Sequence, residues 1–215
     1  ILNCSLLASY HNVRSYYLRV YEAKFVLGAI AAALSENDEI GYIEDYPIYG
    51  TPTSINAFAL GAQMVNPRAQ IVLEWSTLPG HSPEAALAAR GVHIISSRDI
   101  SAPHLESRAF GLYHEQDGVI ANLAMPIWNW GKLYEGIVRS ILTGAWSDEG
   151  EHNADRAMNY YMGMSTDAID IICSQRLPAR TRRLVDLLHE RIRAGAFLPF
   201  VGPIVCLLYT SDAAD

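Results

Sequence analysis

The stretch IGYIEDYPIYGTPTSINAFALGAQMVNPRAQIVLEW, residues 40–75, decides the fold. It begins with an apolar run at residues 40–43, which has the length typical of a strand. Thr51 and Pro52 then offer an N-cap followed by proline in the first helical turn. Apolar side chains recur at helical spacing as far as Asn66-Pro67, which stops the helix. A second apolar run covers residues 70–75, so the stretch predicts a strand, a loop, a helix and a strand.

The same alternation continues on both sides of this stretch. Residues 17–34 place apolar side chains near helical spacing with Arg19, Glu22 and Lys24 interleaved, which predicts an amphipathic helix. The other predicted elements are helices opening at Ser82-Pro83, after Pro103, at Trp130 and before Leu184, and strands at residues 92–96, 119–125 and 168–173. Strands alternating with helices of this length predict an α/β protein with a doubly wound parallel sheet.

Doubly wound sheets bind ligands at the carboxyl ends of their strands. The residues just past the four predicted strand ends are therefore candidate ligand-binding residues: Asp45, Tyr46, Trp75, Ser76, Asp99, Trp128 and Asn129. This geometry further predicts that the ends of the first four strands of the sheet lie along one edge.

The tryptophans and aspartates in this set suggest a purine-like ligand. Two indoles facing a cleft could sandwich a flat heterocycle, and Asp45 and Asp99 could accept hydrogen bonds from ribose hydroxyls. Core or hinge packing is the alternative for Trp75 and Trp128, and Trp130 begins an apolar helical stripe that indicates a core position. Asp99 could instead cap the helix expected after Pro103.

Composition excludes several classes of partner. The chain has a formal net charge of -7, a pI near 5.5 and no Lys/Arg-rich stripe, whereas binding to nucleic acid requires a basic face. Half of the residues are hydrophobic, 18% are charged and the mean hydropathy is +0.08, which is typical of a densely packed globular protein. No apolar run reaches the about 18 residues of a membrane span.

Familiar catalytic and cofactor signatures are absent from the sequence. It contains no G-x-S-x-G, H-E-x-x-H, Walker, G-x-G-x-x-G or EF-hand spacing. Cys4, Cys173 and Cys206 lack the C-x-x-C pattern of zinc and redox sites. The histidines between residues 81 and 114 lie 10 to 12 residues apart, which is too far for two ligands on one helical face. We therefore expect no enzyme, no metal site and no cofactor.

Both ends of the chain have unusual features. The sequence opens without an initiator Met or the charged and apolar regions of a signal peptide, so we expect an amino-terminal part to be missing. Residues 206–215, CLLYTSDAAD, resemble the translation of a sequencing-library adapter, and a natural frayed terminus is the alternative.

Several runs resemble the basic membrane protein family, the substrate-binding proteins of ABC importers related to purine nucleoside receptors. The most specific are INAFALGA at residues 55–62 and PIWNWG at residues 126–131, supported by YEAKF, GYI and VNP at residues 21–25, 41–43 and 65–67. The similarity extends over residues 2–203. It implies a type I periplasmic-binding-protein fold, in which two α/β lobes close on a nucleoside or a similar small molecule.

The resemblance implies an amino-terminally truncated fragment of this fold with a defined organisation. Residues 1–45 would end lobe one, residues 46–125 would form lobe two, residues 126–205 would return to lobe one, and 206–215 would be the adapter-derived tail. The whole protein would be extracytoplasmic, lipid-anchored to the cell membrane through its missing amino terminus, and would deliver its ligand to an ABC permease. A cytoplasmic ligand-sensing domain of a longer regulatory protein is the alternative.

The resemblance also implies roles for individual residues. Trp75 matches an aromatic position that stacks on the base, Asp99 falls in a segment that contacts the sugar, and Asp117 lies near a ribose-binding aspartate. Trp128 stands where the classical nucleoside receptors carry a Lys, so a stacking ring replaces a hydrogen-bond donor at that position.

Overall fold

A computed structural model describes residues 2–3, 14–48, 50–99, 108–145 and 160–201 of the chain. Its strands are β1 (Leu2–Asn3), β2 (Arg14–Leu18), β3 (Glu39–Glu44), β4 (Gln70–Trp75), β5 (Ile94–Ser96), β6 (Leu112–Gln116), β7 (Val119–Trp128), β8 (Tyr160–Met162) and β9 (Ile169–Cys173). Its helices are α1 (Val20–Leu34), α2 (Thr51–Val65), α3 (Pro83–Ala89), α4 (Trp130–Leu142) and α5 (Ala179–Arg193), with a 3-10 turn at Met164–Thr166. The helix expected after Pro103 and the tail at residues 206–215 lie outside the described residues.

A six-stranded sheet forms the centre of the fold. Its strand order is β4-β3-β5-β6-β7-β9. Strand β3 runs parallel to both β4 and β5, and two successive antiparallel pairings bring β7 back to the same direction. The carboxyl ends of β3, β4, β5 and β7 therefore lie along one edge, which we call the carboxyl edge, as the sequence predicts.

The sheet is mixed rather than purely parallel, because β6 and β9 run against their neighbours. Strand β6 was not expected from the sequence, although its turn carries a strong signal. Asp117 and Gly118 connect β6 to β7 with φ angles of 53° and 78°, and an Asp-Gly pair with positive φ at both positions is typical of a two-residue β-hairpin turn. This hairpin places Asp117 at the edge of the sheet opposite to the carboxyl edge.

A smaller sheet has the order β1-β2-β8, with all three strands parallel. Strand β8 comes late in the chain, so the backbone leaves this sheet after β2 and returns to it after α4. The six-stranded sheet takes β3 from before residue 45 and β9 from after residue 125. Its membership therefore does not coincide with the lobe boundaries expected at residues 45 and 125, and that division stays a prediction.

Helices cover both faces of the six-stranded sheet, as a doubly wound fold requires. The larger hydrophobic cluster joins α1, α2 and α5 to one face of the sheet. The smaller cluster packs Leu87 of α3 against Ile43 and Ile95 on the other face. Among the described helices, none has both the length and the apolarity needed to cross a membrane.

Helix α1 is buried on nearly all sides, so the prediction of an amphipathic helix over residues 17–34 is wrong. The helix begins at Val20, because the preceding residues pair with β8 as part of β2. Glu22 and Lys24, predicted on a solvent face, are only 1% and 3% exposed. The absence of any polar residue between Phe25 and Leu34 is the sequence signal for complete burial.

Two glycines allow α1 and α2 to pack in close contact. A Cβ at Gly28 would overlap the backbone carbonyl of Phe58, and a Cβ at Gly61 would overlap the carbonyl of Phe25. Each clash falls on helix backbone, which cannot move without shifting the whole element. These two positions therefore require glycine because of packing rather than backbone conformation.

We expect Gly28→Ala and Gly61→Ala each to lower the free energy of unfolding by about 1–3 kcal/mol, because overpacking forces the helices apart. Gly136→Ala in α4 is the matched control, since its new Cβ would meet only an ordinary van der Waals contact with Met162. It should raise stability by about 0.5–1 kcal/mol through helix propensity. Urea unfolding measures all three, and equal effects at the three positions would contradict the close packing of α1 and α2.

Candidate functional site

Asp45, which follows β3, is hydrogen-bonded to residues that follow the two neighbouring strands at the carboxyl edge. Its Oδ1 accepts hydrogen bonds from the hydroxyl of Ser76, after β4, and from Nη2 of Arg98, after β5, the latter at 3.1 Å. The Thr77 hydroxyl donates to the backbone carbonyl of Asp45 at 2.6 Å. The Arg98 side chain is 55% exposed, so the cluster borders solvent.

Asp99, also after β5, forms a buried ion pair beside this cluster. Nζ of Lys24 in α1 lies 2.6 Å from Asp99 Oδ1, and the two side chains are 3% and 16% exposed. Burial alone would lower the pKa of Lys24, but Asp99, Tyr42 and Glu44 together outweigh it and hold that pKa above its ordinary value, with Asp99 contributing most among them. Lys24 is therefore protonated at neutral pH, and removing one partner from a buried ion pair costs about 3–5 kcal/mol.

Glu44, the last residue of β3, adds a third carboxyl group to the carboxyl edge. Burial raises the pKa of Glu44, an effect that the hydrogen bond from the Asp45 backbone N–H to Oε1 at 3.1 Å opposes in part. Together with Asp45 and Asp99, it gives the site three acidic groups against the two basic groups of Lys24 and Arg98. The edge thus presents mainly hydrogen-bond acceptors.

The structure separates the tryptophans that the sequence grouped. Trp75 ends β4 and Trp128 ends β7, four strand spacings away, which corresponds to about 19 Å across the sheet. This separation arises because the hairpin inserts β6 between β5 and β7. A sandwich of one flat ring by two indoles stays a prediction.

The three indoles also differ in their packing. Trp75 is half-buried and belongs to neither hydrophobic cluster, whereas Trp128 packs against the larger one. Trp130 is 42% exposed on α4, with its ring edge-on to Tyr16 at 6.2 Å, rather than in the core as its apolar stripe indicated. Of the three, only Trp75 lies at the carboxyl edge and also belongs to neither hydrophobic cluster.

The remaining predicted residues lie at varied distances from the Asp45 cluster. Tyr46 follows Asp45 directly and is 56% exposed. Asn129 directly precedes α4, and its Nδ2 donates to the Asp167 carbonyl at 2.8 Å, so its amide joins two chain segments. Asp117 is exposed in the hairpin turn at the opposite edge, and it lies outside the site proposed below.

Sequence reasoning missed three residues of the site. Arg98 and Thr77 each stand next to a predicted residue, and only the strand order shows that both reach Asp45. Lys24 was assigned to a solvent face. The apolar run at residues 25–34 was the sequence signal that Lys24 lies at the start of a fully buried helix. A lysine in such a helix needs an acidic partner.

The smaller sheet approaches the carboxyl edge at one point. Gly50, in the loop between β3 and α2, has a φ of 89°, and a Cβ at this residue would lie 2.8 Å from the hydroxyl of Tyr17 in β2. Tyr17 stacks on Tyr161 of β8 with ring centroids 5.6 Å apart. The carboxyl end of the smaller sheet therefore faces the same loop that follows Asp45.

Two cavities of about 390 Å³ lie elsewhere in the molecule. One opens between α1 and the opposite edge of the sheet, beside His93 and His114. The other lies between β9 and α5, beside Cys173 and His189. Neither is lined by a predicted site residue, and the described residues contain no group of three or more metal-ligating side chains arranged to hold an ion.

Comparison with known proteins identifies relatives in sequence. Residues 3–88 match the family Bmp, described as ABC transporter substrate-binding protein PnrA-like. A purine-binding protein of Brucella abortus (strain 2308) is 28% identical over 206 residues, covering 90% of this chain and 56% of the relative. A putative ABC transporter glucose-binding protein of Haloferax volcanii is 31% identical over 149 residues, covering 63% of this chain and 38% of the relative. The chain thus spans about half the length, or less, of these curated relatives.

Solved structures share the fold at low sequence identity. A transcriptional activator of the comK gene from Bacillus halodurans superposes with a TM-score of 0.59 at 13% identity, covering 86% of this chain and 66% of that one. An ABC transporter solute-binding protein from Conexibacter woesei DSM 14684 gives 0.57 at 15% identity, covering 87% and 65%. These neighbours confirm the periplasmic-binding-protein-like α/β fold. The matching family model over residues 3–88 and the two relatives confirm the resemblance read from the sequence, which is to the Bmp family of PnrA-like ABC-transporter substrate-binding proteins.

Proposed function

We propose that this chain is the ligand-binding part of an ABC-transporter solute-binding protein and holds an uncharged nucleoside or purine-like molecule at the carboxyl edge. The observation that carries the proposal is the convergence of Asp45, Ser76, Arg98 and Asp99 at the ends of adjacent strands. In open α/β sheets this edge is the usual place for a ligand. Trp75, at the same edge and outside the core, supplies an aromatic surface for a flat ring.

The charges at the edge favour a neutral ligand over a phosphorylated one. Glu44, Asp45 and Asp99 outnumber Arg98 and Lys24, and each of the two basic groups is already paired with an aspartate. A phosphate would meet this acidic surface where both cations that the structure describes at the edge are already paired. Sugar hydroxyls, in contrast, can donate hydrogen bonds to the carboxylates.

Two ligand classes are compatible with the relatives. One relative is named for binding purine and another for glucose, and a nucleoside carries both a purine-like base and a sugar. An aromatic side chain at the position of Trp75 can pack against either. We favour the nucleoside because it would use the Trp75 ring and the carboxylates at the same time.

The cellular context follows from the same proposal. A solute-binding protein of this family would be extracytoplasmic, held at the membrane by a lipid anchor in the whole protein, and would pass its ligand to an ABC permease. Its role would be binding without chemical conversion of the ligand.

We expect adenosine or another nucleoside to raise the melting temperature, because a ligand at a hundredfold excess over its Kd stabilises the folded state by about 2.7 kcal/mol. Trp75→Ala should abolish most of this shift, since loss of a stacking ring costs about 1–3 kcal/mol of binding. The melting temperature without ligand should change little, because Trp75 lies outside both hydrophobic clusters.

Trp128→Ala is the matched control for this measurement. Because Trp128 packs against the larger cluster, its loss should lower the melting temperature equally with and without nucleoside. A panel of adenosine, guanosine, adenine and glucose distinguishes the ligand classes. A shift by glucose alone would overturn the nucleoside proposal, and no shift with any member would overturn the proposed site.

The raised pKa of Glu44 predicts a pH-dependent effect of Glu44→Gln. The folded protein retains the proton of Glu44 to higher pH than the unfolded chain, so wild-type stability falls as the pH rises from the ordinary value of 4.5 through the raised pKa. The variant lacks this loss. Its melting temperature relative to wild type should therefore increase across that window and stay higher at neutral pH.

Glu39→Gln is expected to show the opposite behaviour. The guanidinium of Arg90, 2.6 Å from Oε1, holds the pKa of Glu39 below its ordinary value. The stabilisation from Glu39 is therefore present above pH 4.5 and lost at lower pH, so this variant should be the less stable one at neutral pH. Thermal unfolding from pH 3 to pH 8 compares both, and the same trend in the two variants would contradict the burial of Glu44.

A further inference from the structure

We propose that Lys24 is a positioning residue of the binding site. Its ammonium group holds Asp99 by one carboxylate oxygen, so that the other oxygen, Oδ2, is presented to a hydroxyl of the ligand. The inference rests on the proposed function and extends it to a residue in the buried helix α1.

The contacts of Asp99 are one-sided. Lys24 Nζ donates to Oδ1 at 2.6 Å, and among the described residues no hydrogen bond reaches Oδ2. The Asp99 side chain keeps 16% of its surface exposed at the carboxyl edge. A largely buried carboxylate that is fixed through one oxygen, and whose other oxygen has no hydrogen bond from the described part of the chain, is suited to accept a hydrogen bond from a ligand.

Lys24 itself cannot take part in such a contact. Its side chain is 3% exposed and lies beneath the edge, with its ammonium group 5.3 Å from the centre of the Tyr42 ring. Asp99 is its hydrogen-bonding partner in the described residues. Lys24 can therefore affect a ligand only through the position and charge of Asp99.

Stability alone does not account for this pair. Replacing a buried ion pair by well-packed apolar side chains is often neutral or stabilising, whereas removing one partner is costly. Helix α1 is otherwise apolar from Phe25 to Leu34, so an apolar residue at position 24 would suit its surroundings. Lys24 holds the Asp99 carboxylate in place at the edge of the binding surface, and an apolar residue at position 24 could not do this.

The test compares adenosine with adenine, which lacks the sugar. Isothermal titration on the 215-residue chain gives the two Kd values for the wild type, Lys24→Met and Lys24→Arg. We expect Lys24→Met to weaken adenosine binding by about tenfold or more, because a hydrogen bond to a charged group is lost or misdirected. Adenine binding should change little, and Lys24→Arg should restore most of the preference for adenosine.

Glu22→Gln is the matched control within the same helix. Glu22 is also buried and ion-paired, to Arg19 at 2.8 Å, and accepts a hydrogen bond from the Met164 N–H. Its loss should lower the melting temperature but leave the ratio of the two Kd values unchanged. A drop in that ratio for Glu22→Gln as large as for Lys24→Met would show a general structural effect and overturn the inference.

The double variant Lys24→Met/Asp99→Asn keeps the test decisive if Lys24→Met fails to fold. It leaves no unpaired charge at the two positions, and it should bind adenosine no better than adenine. A ratio unchanged from wild type in Lys24→Met would overturn the role of Lys24. A ratio unchanged in the double variant would overturn the contact of Asp99 with the sugar and, with it, that role, while nucleoside binding at the carboxyl edge would stand. Failure of the wild type to bind either compound would overturn both.

Discussion

The complete burial of helix α1 is the constraint on which the rest of the structure depends. The helix contacts α2, α5 and the six-stranded sheet, so an unpaired charge on any of its faces would be costly. Its two buried charged residues are accordingly paired, Glu22 with Arg19 and Lys24 with Asp99. Its glycine, with that of α2, brings the two backbones into contact. Strand β2 of the smaller sheet directly precedes this helix in the chain, and β3 of the larger sheet follows it.

The pairing requirements of α1 extend to the surface where we place the ligand. Because Lys24 must be neutralised, Asp99 is drawn inward, and the neighbouring Arg98 is left to bind Asp45 across the strand ends. Asp45 in turn joins Ser76 to the same cluster. The hydrogen bonds at the carboxyl edge thus depend on the burial of α1, which packs against one face of the six-stranded sheet. This dependence gives the acceptor groups at the edge fixed positions before a ligand arrives.

The fold alone does not determine what such an edge binds. A transcriptional activator and a solute-binding protein superpose on this chain about equally well, and one fold commonly supports unrelated functions. A neutral ligand with a sugar is instead favoured by the local chemistry: an acidic edge, cations already paired, and one indole outside the core. These are properties of particular side chains rather than of the architecture.

Local sequence signals determined most of the elements. The Pro52 start and Asn66 stop define α2, Ser82 caps α3 through its hydrogen bond with Ala85, and apolar runs mark β3, β4 and β7. The candidate residues at the ends of β3, β4 and β5 followed from these runs, because the direction of parallel strands fixes which ends meet. The motif at residues 55–62 likewise indicated the resemblance to the Bmp family without a structure.

Only the tertiary structure decided strand order and burial, because both depend on contacts between residues far apart in sequence. Insertion of β6 placed the strands that end in Trp75 and Trp128 four strand spacings apart, about 19 Å across the sheet, and carried Asp117 to the opposite edge. Pairing of β2 with β8 shortened α1, and packing on all its sides turned Lys24 from an expected surface residue into a buried partner of Asp99, 75 positions away. Periodicity reports which residues share a face of an element, but not which other element covers that face.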